Sequence, residues 1–199
     1  MTSTRPARRG RPGHHREDVI RAGVELFNQQ GYDATSVSDL TGRLGVTKSA
    51  LYHHVDSKAQ ILEIALDEAL GGLEEALADA LTRETAADRL TAIIGGAVRV
   101  LTAKQPQVTL LLRLRGNSPV ELAALERRRR FDHRVTELVR EAQAEGLVRA
   151  DLDAAVATRL IFGMINSLVE WYRPDGPVDP VLLGHEVLAV ALDGLRPRD

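Results

Sequence analysis

Thr47, Lys48, Ser49, Tyr52, His53 and His54 fall within eight residues and carry hydroxyls, an ammonium, a phenol and two imidazoles. Such a row is built to hydrogen-bond an anionic surface rich in acceptors. It is not built to break bonds. The six histidines are His14, His15, His53, His54, His133 and His185. The adjacent pair His53 and His54 cannot share a helix face as a metal-binding i, i+4 pair would. The chain has no Walker-type phosphate loop, no nucleophile elbow and no paired catalytic acids on recognisable supports. It also has no cysteine, which excludes disulfides and thiolate metal sites. Neither an enzyme nor a metal or other cofactor is expected.

The row must be positioned by helices. In residues 35–58, TSVSDLTGRLGVTKSALYHHVDSK, Thr35 and Ser36 stand where a helix cap belongs. Val37, Leu40 and Leu44 follow at helical spacing. Gly45 comes after the last apolar residue and suits the left-handed conformation that ends a helix. Val46 is the expected buried residue of the turn. Thr47 then caps a second helix, expected over Lys48 to His54, with Ala50, Leu51 and Val55 turned inward. This is the layout of a helix-turn-helix, whose second helix enters the major groove of double-stranded DNA. A helix start with a hydroxyl and a lysine suits phosphate. The expected DNA contacts are Thr35, Ser36, Thr47, Lys48, Ser49, Tyr52, His53, His54 and Lys58, the last lying in the first turn of the following helix. The competing reading is an ordinary helix pair with a polar surface, which would require every part of this arrangement to coincide.

The charge distribution agrees. The 199-residue chain has a net charge of −2, yet residues 1–60 hold nine Lys and Arg against six Asp and Glu. The rest hold seventeen against twenty-two. The excess gathers at Arg5, Arg8, Arg9, Arg11 and Arg16, among Pro6, Gly10, Pro12 and Gly13. Residues 1–14 are thus expected to be a flexible basic arm that cannot fold alone. Arg8, Arg9 and Arg11 are its expected DNA contacts, at phosphate or in the minor groove. A solubilising tail is the alternative.

The stretch AGVELFNQQGYDATSVSDLTGRLGVTKSALYHHVDSKAQIL resembles the N-terminal domain of the tetracycline-repressor (TetR) family. The carriers are Phe27, the Gly31-Tyr32 pair, Thr35 and the closing LYHHV-SK pattern. The resemblance covers about a quarter of the chain and is specific; elsewhere only length and helical architecture match. It implies a homodimeric transcriptional repressor, with a helix-turn-helix domain over residues 15–60 and a helical ligand-binding and dimerisation domain over 61–199.

The remaining pattern predicts an all-α chain of about nine helices. A long fourth helix starts at Asp56 and Ser57 and runs to about Thr82, through Gly71 and Gly72, which are expected to weaken or bend it. Asp151 is expected to cap helix eight. That helix, AAVATRLIFGMINSLVEWY, is apolar round most of its circumference and needs cover beyond one wet side. With helix nine it would form a four-helix dimer interface, as the resemblance implies, through Leu160, Met164, Leu168, Leu183 and Val187. No signal peptide or apolar run of about 18 residues is present, so a cytoplasmic protein without membrane contact is expected.

The effector site is less determined. On helix seven, Val120, Ala124, Phe131, Val135, Leu138 and Ala142 form an apolar stripe. Arg127 falls within its angular span, and Arg128 and Arg134 lie at its edges. Arg127 facing a cavity would hold a carboxylate, phosphate or carbonyl; otherwise ERRRR is a solvated face with snorkelling stems. On helix eight, Arg159, Gly163, Asn166 and Glu170 form a polar stripe toward a pocket, the dimer axis or water. The expected effector contacts are Arg127, Phe131, Arg113, Asn166 and Trp171. Segments LLLRLRGNSPVELAALERRRRFDHRV and IFGMINSLVEWYRPDG are similar to TetR-family members that control lipid or aromatic-acid breakdown, which implies an acyl-coenzyme A effector. A generic hydrophobic small molecule is the competing effector. The expected protein is a repressor released by its effector from a palindromic operator. The alternative is a helical homodimeric interaction protein that no longer binds DNA specifically.

Overall fold

The computed structural model describes residues 15–194; Arg8, Arg9 and Arg11, with the rest of the 1–14 arm, lie outside them. The described residues form nine α-helices and no strands, in two compact units that divide between Ile61 and Leu62. No helix among the described residues is long and apolar enough to cross a membrane.

The first unit holds α1 (Arg16–Gln30), α2 (Val37–Leu44), α3 (Lys48–Tyr52) and the start of α4 (Lys58–Leu81). Val19, Phe27, Leu40, Leu51, Val55 and Ile61 supply its buried core. Each boundary has a local cause. The Ser36 hydroxyl accepts from the Asp39 amide at 3.1 Å, and Asp39 accepts from the Ser36 amide at 2.7 Å, closing a capping box on α2. These bonds from Ser36 hold the Asp39 carboxyl below its usual range. Gly45 ends α2 at φ 65°, a left-handed conformation that glycine adopts without a Cβ clash. Thr47 caps α3 by accepting from the Ala50 amide at 3.2 Å. α3 is shorter than its sequence pattern predicts. It stops at Tyr52, so His53 and His54 lie in the turn that follows.

The second unit holds the rest of α4, then α5 (Ala86–Ala103), α6 (Gln105–Leu112), α7 (Pro119–Ala144), α8 (Ala154–Trp171) and α9 (Pro180–Asp193). Helix α5 is its axis. Leu90, Ile93, Ile94, Ala97, Val98 and Leu101 are buried, and α7, α8 and α9 pack around it. Helix α4 runs unbroken through Gly71 and Gly72. At Gly72 a Cβ would sit 3.2 Å from two Val100 carbons, so the glycine serves the close approach of α5. Asp153, not Asp151, caps α8, accepting from the Val156 amide at 2.9 Å. Asp151 is instead paired with Arg149.

Glu121 is a buried carboxylate that sequence reasoning missed. It is 3% exposed and accepts from the amides of Arg115, Gly116 and Asn117 at 3.1, 2.8 and 3.1 Å. These bonds fix the α6–α7 turn, where Gly116 has φ 85°. The signal was Ser118-Pro-Val-Glu121, a capping-box spacing whose glutamate reaches back over the preceding loop.

The expected dimer residues divide. Leu160 is 68% exposed and Met164 half-buried, but Leu168, Leu183 and Val187 are buried within their own protomer. A four-residue step on a helix overshoots a full turn by about 40°, so two steps from Leu160 carry Leu168 round to the core. The apolar side chains left exposed on these helices are Val156, Leu160 and Trp171 on α8 and Val181, Leu182 and Val190 on α9.

Candidate DNA-reading surface and effector cavity

The outer face of α2 and α3 brings together most of the expected reader residues. Ser36, Thr47, Lys48, Ser49, Tyr52 and His53 are exposed, and His54 is half-buried. The Lys48 ammonium lies 5.9 Å from the Tyr52 ring centre, one turn along α3. The surface thus offers a cation, hydroxyls, a phenol and an imidazole on a short rigid support.

Two expected contacts belong to the fold instead. Thr35 is 1% exposed, and its hydroxyl donates to the Gly31 carbonyl at 2.8 Å. Lys58 donates to the carbonyls of Tyr32 and Thr35, both at 2.8 Å, with its ammonium 4.2 Å from the Tyr32 ring centre. The α1–α2 loop turns its carbonyls toward the first turn of α4, and the ammonium fills that acceptor-lined space. Lys58 is therefore a staple between α4 and the loop, not a free phosphate contact.

A cavity of about 570 Å³ opens in the second unit among α4 to α8. Leu73, Ala97, Leu101, Val108, Leu111 and Ile165 contribute apolar wall. Phe131 and Phe162 meet edge to face across α7 and α8, with ring centres 5.4 Å apart. On α7 the polar lining is the row Arg128, Asp132, Thr136 and Arg140, at successive four-residue steps, with Arg129 and His133 beside it. Arg159, Gly163 and Asn166 of α8 face it. This resolves the helix-eight stripe: three of its members line the cavity and Glu170 does not.

Charge in the cavity is unbalanced. Arg128, Arg140 and Arg159 make no hydrogen bond or ion pair with the described residues. Asp132 also has no hydrogen-bonded side-chain partner among them. Burial pushes its carboxyl above the usual range, and the nearby Arg128 and Arg159 only partly oppose this. No cluster of potential metal ligands occurs among the described residues.

Of the expected effector contacts, Phe131 and Asn166 line the cavity; Arg127, Arg113 and Trp171 do not. Arg127 sits about 100° round α7 from Arg128 and meets α4. Its Nε and Nη2 donate to Glu74 at 3.0 and 2.8 Å, and its Nη1 bonds Asp67. Asp67 and Glu74 are two turns apart on α4, so one guanidinium fork bridges both. These bonds raise the Arg127 pKa and lower that of Glu74. Arg113 follows the end of α6 and is exposed. Trp171, half exposed at the end of α8, belongs to the exposed apolar face.

A helix-turn-helix unit joined to a helical unit with a mixed apolar and cationic cavity defines the class of one-chain, effector-sensing DNA-binding regulators. Residues 19–65 match the profile described as "Bacterial regulatory proteins, tetR family", and residues 83–195 that described as "Tetracyclin repressor-like, C-terminal domain". The chain belongs to the TetR family of transcriptional regulators. It is 27% identical over 192 residues to the HTH-type transcriptional repressor KstR2 of Mycolicibacterium smegmatis, covering 92% of each chain. Among solved structures it is similar to SCO3833, a TetR-family member from Streptomyces coelicolor A3. That similarity has a TM-score of 0.84 and 45% identity over 90% of this chain and 91% of the other. AibR, solved in complex with isovaleryl coenzyme A and operator DNA, shares the fold at a TM-score of 0.74. Identity to it is 20%, over 90% of this chain and 98% of AibR.

Proposed function

We propose that the protein is a repressor released from a palindromic operator by an amphipathic anion, an acyl-coenzyme A thioester being the class that fits best. The observation that carries this is the cavity's division of labour. Its apolar wall can hold a hydrocarbon body, and Arg128, Arg140 and Arg159 can hold phosphates, having no carboxylate bonded to them. A purely hydrophobic effector would leave the half-buried Arg128 and the exposed Arg140 and Arg159 unused. The complex of AibR with isovaleryl coenzyme A supports the reading, although the fold alone links the two proteins.

In this reading Lys48, Ser49, Tyr52 and His53 meet operator DNA, with Thr47 and Ser36 beside them. Two copies pair through the exposed apolar side chains of α8 and α9, which sets two reader helices on one palindrome. Leu73 on α4 lines the cavity, and the same helix begins at Lys58, stapled to the reader's loop. A change in α4 on effector binding would therefore reach the reader. Release requires that the effector bind the DNA-free state more tightly than the DNA-bound one.

The test begins with operator selection from random DNA. The protein–DNA complex is then titrated with decanoyl-coenzyme A, decanoate and coenzyme A at fixed ionic strength. Release by the thioester at concentrations at which decanoate and coenzyme A leave the complex intact supports the reading. Release by an uncharged hydrocarbon derivative alone overturns it.

A further inference from the structure

Asp132 is out of place in a site built for an anion. It lies in the middle of the α7 row, between Arg128 one turn before and Thr136 one turn after, with Arg159 across from it on α8. A carboxylate there repels the effector's phosphates, and neither arginine forms an ion pair with it. Simple neutralisation would have brought a guanidinium into contact, as Asp67 and Glu74 do with Arg127.

The groups beside it share its polarity. Thr136 is 7% exposed and its hydroxyl donates to the Asp132 carbonyl at 2.8 Å. Thr158 is 3% exposed and its hydroxyl donates to the Ala154 carbonyl at 2.8 Å. Both hydroxyl protons are spent on the helices' own backbone, so toward the cavity these oxygens can only accept. With the Asp132 carboxylate they make a wall of acceptors. Apart from the arginines, the nitrogen donors lining the cavity are His133 and Asn166; His133 is turned to Glu137, with its Nε2 3.4 Å from that carboxylate. The Asn166 amide has no partner among the described residues. Buried acceptors without donors are costly, and a binding site is where such a cost is recovered.

We infer that Asp132 reads a hydroxyl on the effector, carried at the head-proximal end of its apolar body, and that this contact sets specificity among amphipathic anions. The inference rests on the reading of the cavity given above. In that geometry the hydrocarbon lies against Leu101, Val108 and Phe131, and the anionic groups lie at Arg128, Arg140 and Arg159. The hydroxyl donates to Asp132 between them. Effectors that lack the hydroxyl leave the carboxylate desolvated and unpaired, and bind more weakly.

The experiment uses the full chain and two matched probes, decanoyl-coenzyme A and 3-hydroxydecanoyl-coenzyme A, with binding measured by calorimetry. The wild-type protein is expected to favour the hydroxylated thioester by about tenfold or more, the range of a charge-assisted hydrogen bond. In Asp132→Ala, confirmed folded by circular dichroism, that ratio is expected to fall to near one. In Asp132→Asn, which keeps an acceptor oxygen, it is expected to fall only partly. Equal wild-type affinity for the two probes overturns the inference while leaving the thioester reading in place. So does a preference that survives in Asp132→Ala. If Asp132→Ala tightens both probes equally, the carboxylate is only a counter-charge, and the inference fails. Binding of neither probe overturns the cavity reading and the inference together.

Discussion

Arg127 and Arg128 are neighbours in sequence and about 100° apart around α7, and the two environments are opposite. Arg127 is clamped by Asp67 and Glu74 of α4. Arg128 lines the cavity with no bonded carboxylate. The reader unit repeats the contrast with lysines. Lys48 stands exposed on α3, while Lys58 is spent on two backbone carbonyls. In both pairs the residue type is the same and the partner decides the role. A cation already satisfied by its own chain holds the fold; one left without a partner is available to a ligand.

Substitution should separate these roles, and the largest separation is expected at the cavity. Arg128→Ala and Arg159→Ala should each raise the effector concentration needed for DNA release by about ten- to a hundredfold, since each removes a charge-assisted contact of roughly 1.5–3 kcal/mol. Arg127→Ala should leave that concentration nearly unchanged. A release titration on the three variants decides between them, and a response lost only in Arg127→Ala would reverse the comparison.

The lysine pair comes next. Lys58→Met should lower unfolding free energy by about 1–3 kcal/mol, because the Tyr32 and Thr35 carbonyls lose their donor in a partly buried place. Lys48→Ala should leave the denaturation midpoint nearly unchanged and weaken operator binding, with a shallower salt dependence if its contact is phosphate. Denaturant titration and operator binding at several salt concentrations read the two effects separately. Arg127→Ala should cost less than Lys58→Met, about 1 kcal/mol, because its partners are largely solvent-exposed.

These contrasts also mark how far the residues could be read without the fold. The helix-turn-helix was legible because its signals are local: caps at Ser36 and Thr47, the glycine at 45, and apolar spacing at Leu40, Leu44 and Leu51. The nine helices followed from the same periodicity. The locking of Lys58 was not legible, since its acceptors lie 23 and 26 residues away. Arg127 was misplaced for a related reason. Its angle on α7 is close to the apolar stripe, but of that stripe only Phe131 lines the cavity, and Arg127 meets α4 instead. A clue to the cavity face was present in the sequence: Arg128, Asp132, Thr136 and Arg140 set three charges and a hydroxyl at a strict spacing of four. Leu168, Leu183 and Val187 show the same limit. Helical phase gives a face, but only packing tells which face the protomer itself covers.

The smallest expected effect separates the two sides of α7 by pH. Burial raises the Asp132 pKa in the folded protein, so the folded state holds this proton more tightly than the unfolded chain. Stability from this group is then greatest below its ordinary value of 3.8 and declines as pH rises through the raised value. Asp132→Asn removes the penalty of the ionised form and should melt at a slightly higher temperature than wild type near neutral pH. The difference should close as the pH falls toward 3.8. Glu74 behaves in the opposite sense. Hydrogen bonding from Arg127 lowers its pKa, so its contribution is present above the ordinary value of 4.5 and is lost as pH falls through the lowered one. Arg127→Ala should accordingly be less stable than wild type near neutral pH and converge on it in acid. The two variants therefore approach the wild-type melting curve from opposite sides as pH is lowered. Melting temperatures across that range test this directly. An Asp132→Asn protein less stable than wild type at neutral pH would mean that the carboxylate has a bonded partner within the fold. It would then belong with Arg127 among the groups that hold the helices together.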